Sequence, residues 1–136
     1  MLDCEGRSLG DQNGKLGLIQ IGVETTTYLV DVILLPSALS SLKTYLENPR
    51  LTKYVWDARS DYSELLHGHG ITIKGLVDLQ LLHVHTGPFP GDKIIYLTSM
   101  SNAAAKLSVT TPQIMYQIRA GTSTLRLRLT QKDKRI

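Results

Sequence analysis

Apolar and polar positions fall into short blocks along the chain. Residues 15–23, Lys-Leu-Gly-Leu-Ile-Gln-Ile-Gly-Val, make a nearly continuous apolar run of the buried-strand type, and the turn-forming Gly10-Asp-Gln-Asn-Gly14 precedes it. A hairpin leading out of residues 2–5 is therefore predicted. Residues 26–33 are rich in β-branched and aromatic side chains, and only Glu24-Thr25 separates them from the run before. That predicts three consecutive strands. Leu39, Leu42 and Leu46 then repeat at helical spacing, with Pro36 at the start and Asn48-Pro49 at the end, which predicts a helix.

The second half of the pattern alternates. Residues 52–56 read as a short strand, and Ser60 is placed to cap a second helix whose Tyr62, Leu65 and Leu66 face inward before Gly68 and Gly70. Residues 71–79 predict another brief strand and residues 80–85 a helix that stops at Gly87-Pro88. Beyond Pro90, residues 97–107 and 112–119 are compatible with helices, whereas residues 121–136 carry no core stripe. Three strands, a helix, a strand, a helix, a strand and further helices describe an α/β sheet with helices on its faces.

A chain of 136 residues has room for one domain, expected over residues 1–120, with a basic tail at 121–136. The apolar share of 42% and charged share of 20% are ordinary for a core-forming protein, which excludes wholesale disorder. No apolar run approaches the ~20 residues of a membrane helix, the start is acidic where a secretory signal is basic, and a single cysteine forms no internal disulfide. An intracellular protein without a membrane segment is expected. The net charge of +3 hides an asymmetry: Arg119, Arg126, Arg128, Lys132, Lys134 and Arg135 crowd the end, whereas ten of the 12 acids precede Leu79. The front reads as a carboxylate site and the tail as a phosphate-attracting or solvated arm.

Asp3 and Glu5 are two apart in a predicted strand, so the pleat sends both carboxylates to one face and Cys4 to the other. Carboxylates held together repel unless one is protonated or a cation lies between them, and hard divalent ions prefer such oxygens. Taken alone, Asp-x-Glu is more often a solvated strand end. Asp61 falls at the start of a helix after a strand, the sheet edge where ligands bind in α/β folds, although a capping role is its bland alternative. Asp57 can pair with Arg59 or Lys53, and Asp78 sits at another strand end.

Seven segments occur in a telling order: Leu2-Asp-Cys-Glu-Gly6, Leu9-Gly10, Gly14-Lys-Leu-Gly-Leu-Ile-Gln-Ile21, Tyr28-Leu-Val-Asp-Val32, Leu46-Glu-Asn-Pro49, Lys53-Tyr-Val-Trp-Asp-Ala-Arg-Ser-Asp61 and Val77-Asp-Leu-Gln-Leu-Leu82. Together they resemble the ribonuclease D-like 3′-5′ exonuclease domain of the DEDD superfamily, over about residues 2–82. The resemblance implies a ribonuclease H-like mixed sheet, antiparallel at its start and parallel after, with two divalent ions, Mg²⁺ or Mn²⁺, over the carboxylates. It assigns Asp3 and Glu5 to the first motif and Asp61 to the second. It sets Gly6 and Leu9 near the terminal nucleotide of a nucleic-acid substrate, which in such enzymes yields nucleoside 5′-monophosphates from a 3′ end.

The same resemblance calls for a fourth carboxylate on a late helix, four residues after a tyrosine or five after a histidine. Four residues after Tyr116 stands Ala120, Leu129 stands four before Asp133, and Asp92 follows His85 by seven. The third motif is thus expected to be missing, the chain to be a shortened or degenerate member, and catalysis to be impaired. A non-catalytic nucleic-acid- or protein-binding module on the same fold is the competing expectation. The pairs His67/His69 and His83/His85 read as exposed or helix-ending residues in preference to a zinc site, because residues two apart on a helix lie ~200° around its axis. Cys4 has no visible base and is expected in the core, as is Trp56.

Overall fold

The computed structural model of the chain describes residues 1–86 and 97–106. Contacts divide it into two units, Met1–Leu79 and Gln80–Ile136. The first unit opens with β1 (Leu2–Arg7), β2 (Lys15–Val23) and β3 (Thr26–Asp31), an antiparallel meander in that order. Asp3 lies opposite Gln20, Cys4 opposite Ile19 and Glu5 opposite Leu18. The two-residue turn between β2 and β3 holds Glu24 at φ 52°, the left-handed conformation that tight hairpin turns require. Asp31 ends β3 by accepting the amides of Ile33 and Leu34 at 3.0 and 2.9 Å.

One register break shapes the meander. After Glu5↔Leu18 the ladder resumes at Gly6↔Leu16, so Gly17 is an extra residue on β2. Leu16 and Leu18 would otherwise share a face of the sheet; the bulge turns Leu16 into the core with Leu2, Cys4, Ile19 and Ile21. Gly6 lies opposite Leu16 and carries no side chain. A Cβ there would collide with the Lys15 carbonyl oxygen and come within 2.6 Å of Leu9 Cδ2.

After the meander come α1 (Ala38–Leu46), β4 (Lys53–Val55), α2 (Arg59–Ser63), a π-helical turn (Glu64–Gly68) that prolongs α2, and β5 (Leu76–Asp78). The predicted stripe of α1 is the buried one: Leu46 is fully buried, and Leu39 and Leu42 pack on the core. β4 and β5 pair in parallel through Lys53↔Leu76 and Val55↔Asp78. β1 lies against β4, but the two are not joined by a hydrogen-bonded ladder, so the mixed sheet is present as an antiparallel and a parallel part. A buried Lys53 braces the start of β4, donating from Nζ to the carbonyls of Asn48 (2.6 Å) and Lys74 (2.9 Å) above the Tyr45 ring.

Two local expectations differ from the structure. Ser60 lies inside α2 and does not cap it: Ala58 holds the cap position with no side-chain bond of its own. Its amide and that of Asp57 are taken instead by the Asp78 carboxylate, at 2.9 and 3.3 Å. The strand predicted over residues 71–79 is confined to Leu76–Asp78, because Ile71 and Ile73 are side-chain anchors in the core while Gly75, at φ 65°, redirects the chain just before pairing begins.

The second unit contains most of α3 (Leu79–Thr86) and all of α4 (Met100–Lys106), where helices were expected. Within it Gln80 Nε2 donates to the Thr98 carbonyl at 2.9 Å, and Ala103 is buried. The helix expected at 112–119, the tail at 121–136 and the boundary between 120 and 121 lie outside the described residues.

Candidate active site

β1 supplies two acids. Leu2 and Cys4 point into the core, so the alternation of the strand turns Asp3 and Glu5 to the opposite face, both half-buried. On that face Gln20 Nε2 reaches across from β2 and donates to Asp3 Oδ2 at 3.2 Å. Sequence reading passes over Gln20; its signal is a polar residue inside an otherwise apolar strand, in line with Asp3.

The backbone of β1 contributes as well. Met1 and Gly22 exchange both of their bonds, at 2.7 and 2.8 Å, which makes Asp3/Gln20 the next hydrogen-bonded pair and Cys4/Ile19 a non-bonded one. The Cys4 amide therefore points away from β2. It meets the carboxylates of both Asp3 and Asp61, whose pKa values it pulls down.

Asp61 comes from α2 and is only 6% exposed. Burial raises its pKa most, the negative Asp3 next, and Glu5 and Asp57 add to the effect, so that it is pushed up to about 7. Asp3 is raised too, by burial. The Cys4 thiol is driven higher still by burial and by Asp61, Asp3, Glu64 and Glu5, which leaves it a protonated core side chain with no nucleophilic character. Asp3, Glu5 and Asp61 thus share one electrostatic neighbourhood.

The supports of α2 fix where Asp61 stands. Asp57, at φ 61°, forms a two-point pair with Arg59 at 2.6 and 2.8 Å, and this pair holds its carboxyl below the usual range. Asp78 anchors the first amides of the helix from β5. Glu64, 5% exposed, accepts the Gly10 amide at 3.1 Å. Of Gly6 and Leu9, Gly6 sits at the bulge beside Glu5 and Leu9 packs on the core over it. Glu64, like Gln20, is a residue that sequence reading does not single out.

The donor set suits a hard divalent cation, since like charges in one neighbourhood already raise one another's proton affinity and a cation relieves that repulsion. As they stand, no three His, Cys, Asp or Glu side chains among the described residues gather closely enough to hold a metal ion. Asp3, Glu5 and Asp61 are the acids of this neighbourhood that could hold one.

A ribonuclease H-like α/β fold with acids on its first strand and second helix defines the class. The 3′-5′ exonuclease family matches residues 1–115, and the chain belongs to it. Solved structures agree in fold. The Trypanosoma brucei RNase D complex with RNA U12 has a TM-score of 0.69 at 22% identity, over 81% of this chain and 39% of that one. The GMP complex of the same RNase D gives 0.70 at 22%, over 91% and 39%. The EXD2 exonuclease domain soaked in Mn gives 0.50 at 18%, over 96% and 80%. The chain thus spans about two fifths of the RNase D length. No curated protein sequence matches it. Among the described residues no helix is long and apolar enough to cross a membrane.

Proposed function

We propose that this chain carries the first two carboxylate motifs of a metal-dependent 3′-5′ exonuclease site that takes the 3′ end of a nucleic acid, with RNA as the first substrate to test. The observation that carries the reading is the convergence of Asp3 and Asp61 on the Cys4 amide, with each acid contributing to a neighbourhood in which Asp61 resists ionisation. The RNA and GMP in the RNase D complexes support the substrate class, and the Mn-soaked EXD2 domain supports a divalent cofactor, Mg²⁺ or Mn²⁺.

In this reading Asp3, Glu5 and Asp61 hold the ions. When bound, such ions supply an activated water and neutralise the charge that builds on the scissile phosphate. The chain's own residues do the rest. Gln20 fixes the rotamer of Asp3, and the Cys4 amide keeps Asp3 and Asp61 facing one another. Burial of Leu2, Cys4 and Ile19 beneath them excludes water from below. Gly6, directly after Glu5, and Leu9, packed over it, are the positions proposed to lie near the terminal nucleotide.

A second reading, a binding module without catalysis, is favoured by one observation: no tyrosine in the sequence is followed four residues later by an acid, and Ala120 stands four after Tyr116. Incubation of 5′-labelled single-stranded RNA and DNA with Mg²⁺ or Mn²⁺ separates the two. A ladder shortening from the 3′ end, lost in Asp3→Ala, supports the nuclease. Nucleic-acid binding with no shortening selects a nucleic-acid-binding module, and neither binding nor cleavage rejects the nuclease and leaves only a protein-binding module.

A further inference from the structure

We propose that Glu64 is a positioning residue, tying the turn that follows Gly6 and Leu9 to the helix that carries Asp61; the inference rests on the reading of this site as a 3′-end site. Asp61 and Glu64 are three residues apart and so share a side of the helix. Both are buried carboxylates, and each accepts a backbone amide from the same hairpin: Asp61 from Cys4 in the strand, Glu64 from Gly10 in the turn. Gly10 is held at both of its polar atoms, since Ser63 Oγ donates to its carbonyl at 3.3 Å.

Glycine chemistry on the turn is what lets Glu64 in. Gly10 has φ 82°, and a Cβ on it would press on Ser60 Cα at 3.2 Å; a Cβ on Gly14 would stand 2.5 Å from Glu64 Oε2. The turn therefore closes around this carboxylate from two sides. A buried acid needs local donors, and the Gly10 amide supplies one to Oε2, while His69 Nε2 stands 3.8 Å from Oε1. Leu9 adjoins Gly10 and lies over Gly6, so release of Gly10 frees Leu9 above Gly6 while Asp3, Glu5 and Gly6 stay paired in β1.

The test is binding of one single-stranded RNA with either a 3′-hydroxyl or a 3′-phosphate, measured by fluorescence anisotropy in Ca²⁺ to suppress cleavage, alongside thermal unfolding. Wild type and Glu64→Gln, whose amide oxygen still accepts the Gly10 N–H, should prefer the 3′-hydroxyl RNA. Glu64→Ala should lose about tenfold in affinity for that RNA and little for the blocked one. Glu64→Asp, which keeps the charge and falls short of Gly10, should behave the same way and decides the matter if the alanine variant does not fold. Variants that keep the preference, or that lose affinity for both RNAs alike, overturn the role of Glu64 and leave the site reading intact. A wild-type protein with no 3′-end preference overturns the site reading, and this inference with it.

Discussion

Asp3 in the first strand and Asp61 in the second helix both take the Cys4 backbone amide as partner, and burial raises the pKa of each. For Asp61, burial and the nearby Asp3 lift the value from 3.8 to about 7. The folded chain therefore binds more protons than the unfolded one between those values. Stability falls as pH rises through that window, and the full penalty is present above pH 7. In chelator, Asp61→Asn should be more stable than wild type at pH 8 by roughly 2–4 kcal/mol and nearly equal to it at pH 4. Urea unfolding across that range checks this; parallel pH profiles would show that Asp61 ionises freely.

Gly6 has no room for a side chain. Gly6→Ala drives a methyl into the Lys15 carbonyl and Leu9, so the bulge at Glu5/Gly6 must shift. A loss of about 1–3 kcal/mol in unfolding free energy is expected, as for other overpacked sites. Amide exchange should localise the damage to residues 5–18.

Asp78 stands in for the missing cap of α2. Asp78→Ala leaves the amides of Asp57 and Ala58 without their carboxylate and should cost about 1–2 kcal/mol. Asp78→Asn, which keeps one acceptor oxygen, should recover part of it. Equal stability of the two variants would mean that the carboxylate is not what holds this helix start.

Lys53 is 1% exposed and caps two carbonyls rather than an acid. Lys53→Met fills the same space and leaves the Lys74 carbonyl without its ammonium donor. Destabilisation of about 1–3 kcal/mol is expected in chemical unfolding; a neutral or stabilising effect would mean that the aliphatic stem, through its burial, matters more than the two ammonium hydrogen bonds.

The meander was legible in the sequence because its strands are dense in β-branched residues and joined by turn chemistry, and α1 because leucines recur on one face. Asp3, Glu5 and Asp61 were legible through ordered segments that resemble a known family. What escaped was nonlocal. The bulge that turns Leu16 inward is a property of pairing, and Gly17 alone does not announce it. Asp78 replacing Ser60 as the anchor of α2, and Glu64 gripping Gly10, depend on which backbone amides the fold brings near a carboxylate, and no local pattern encodes that. Gln20 carried a weak signal, a polar residue on the Asp3 face of a buried strand.

The site functions as proposed only if the carboxylates of Asp3 and Asp61 act together on one cation. Calorimetric titration of the metal-free chain with Mn²⁺ tests this most directly. Wild type should bind Mn²⁺, and Asp3→Asn and Asp61→Asn should each weaken binding by about tenfold or more while the protein remains folded. Binding that is absent from wild type, or that is undiminished in both variants, would contradict joint action of the two acids.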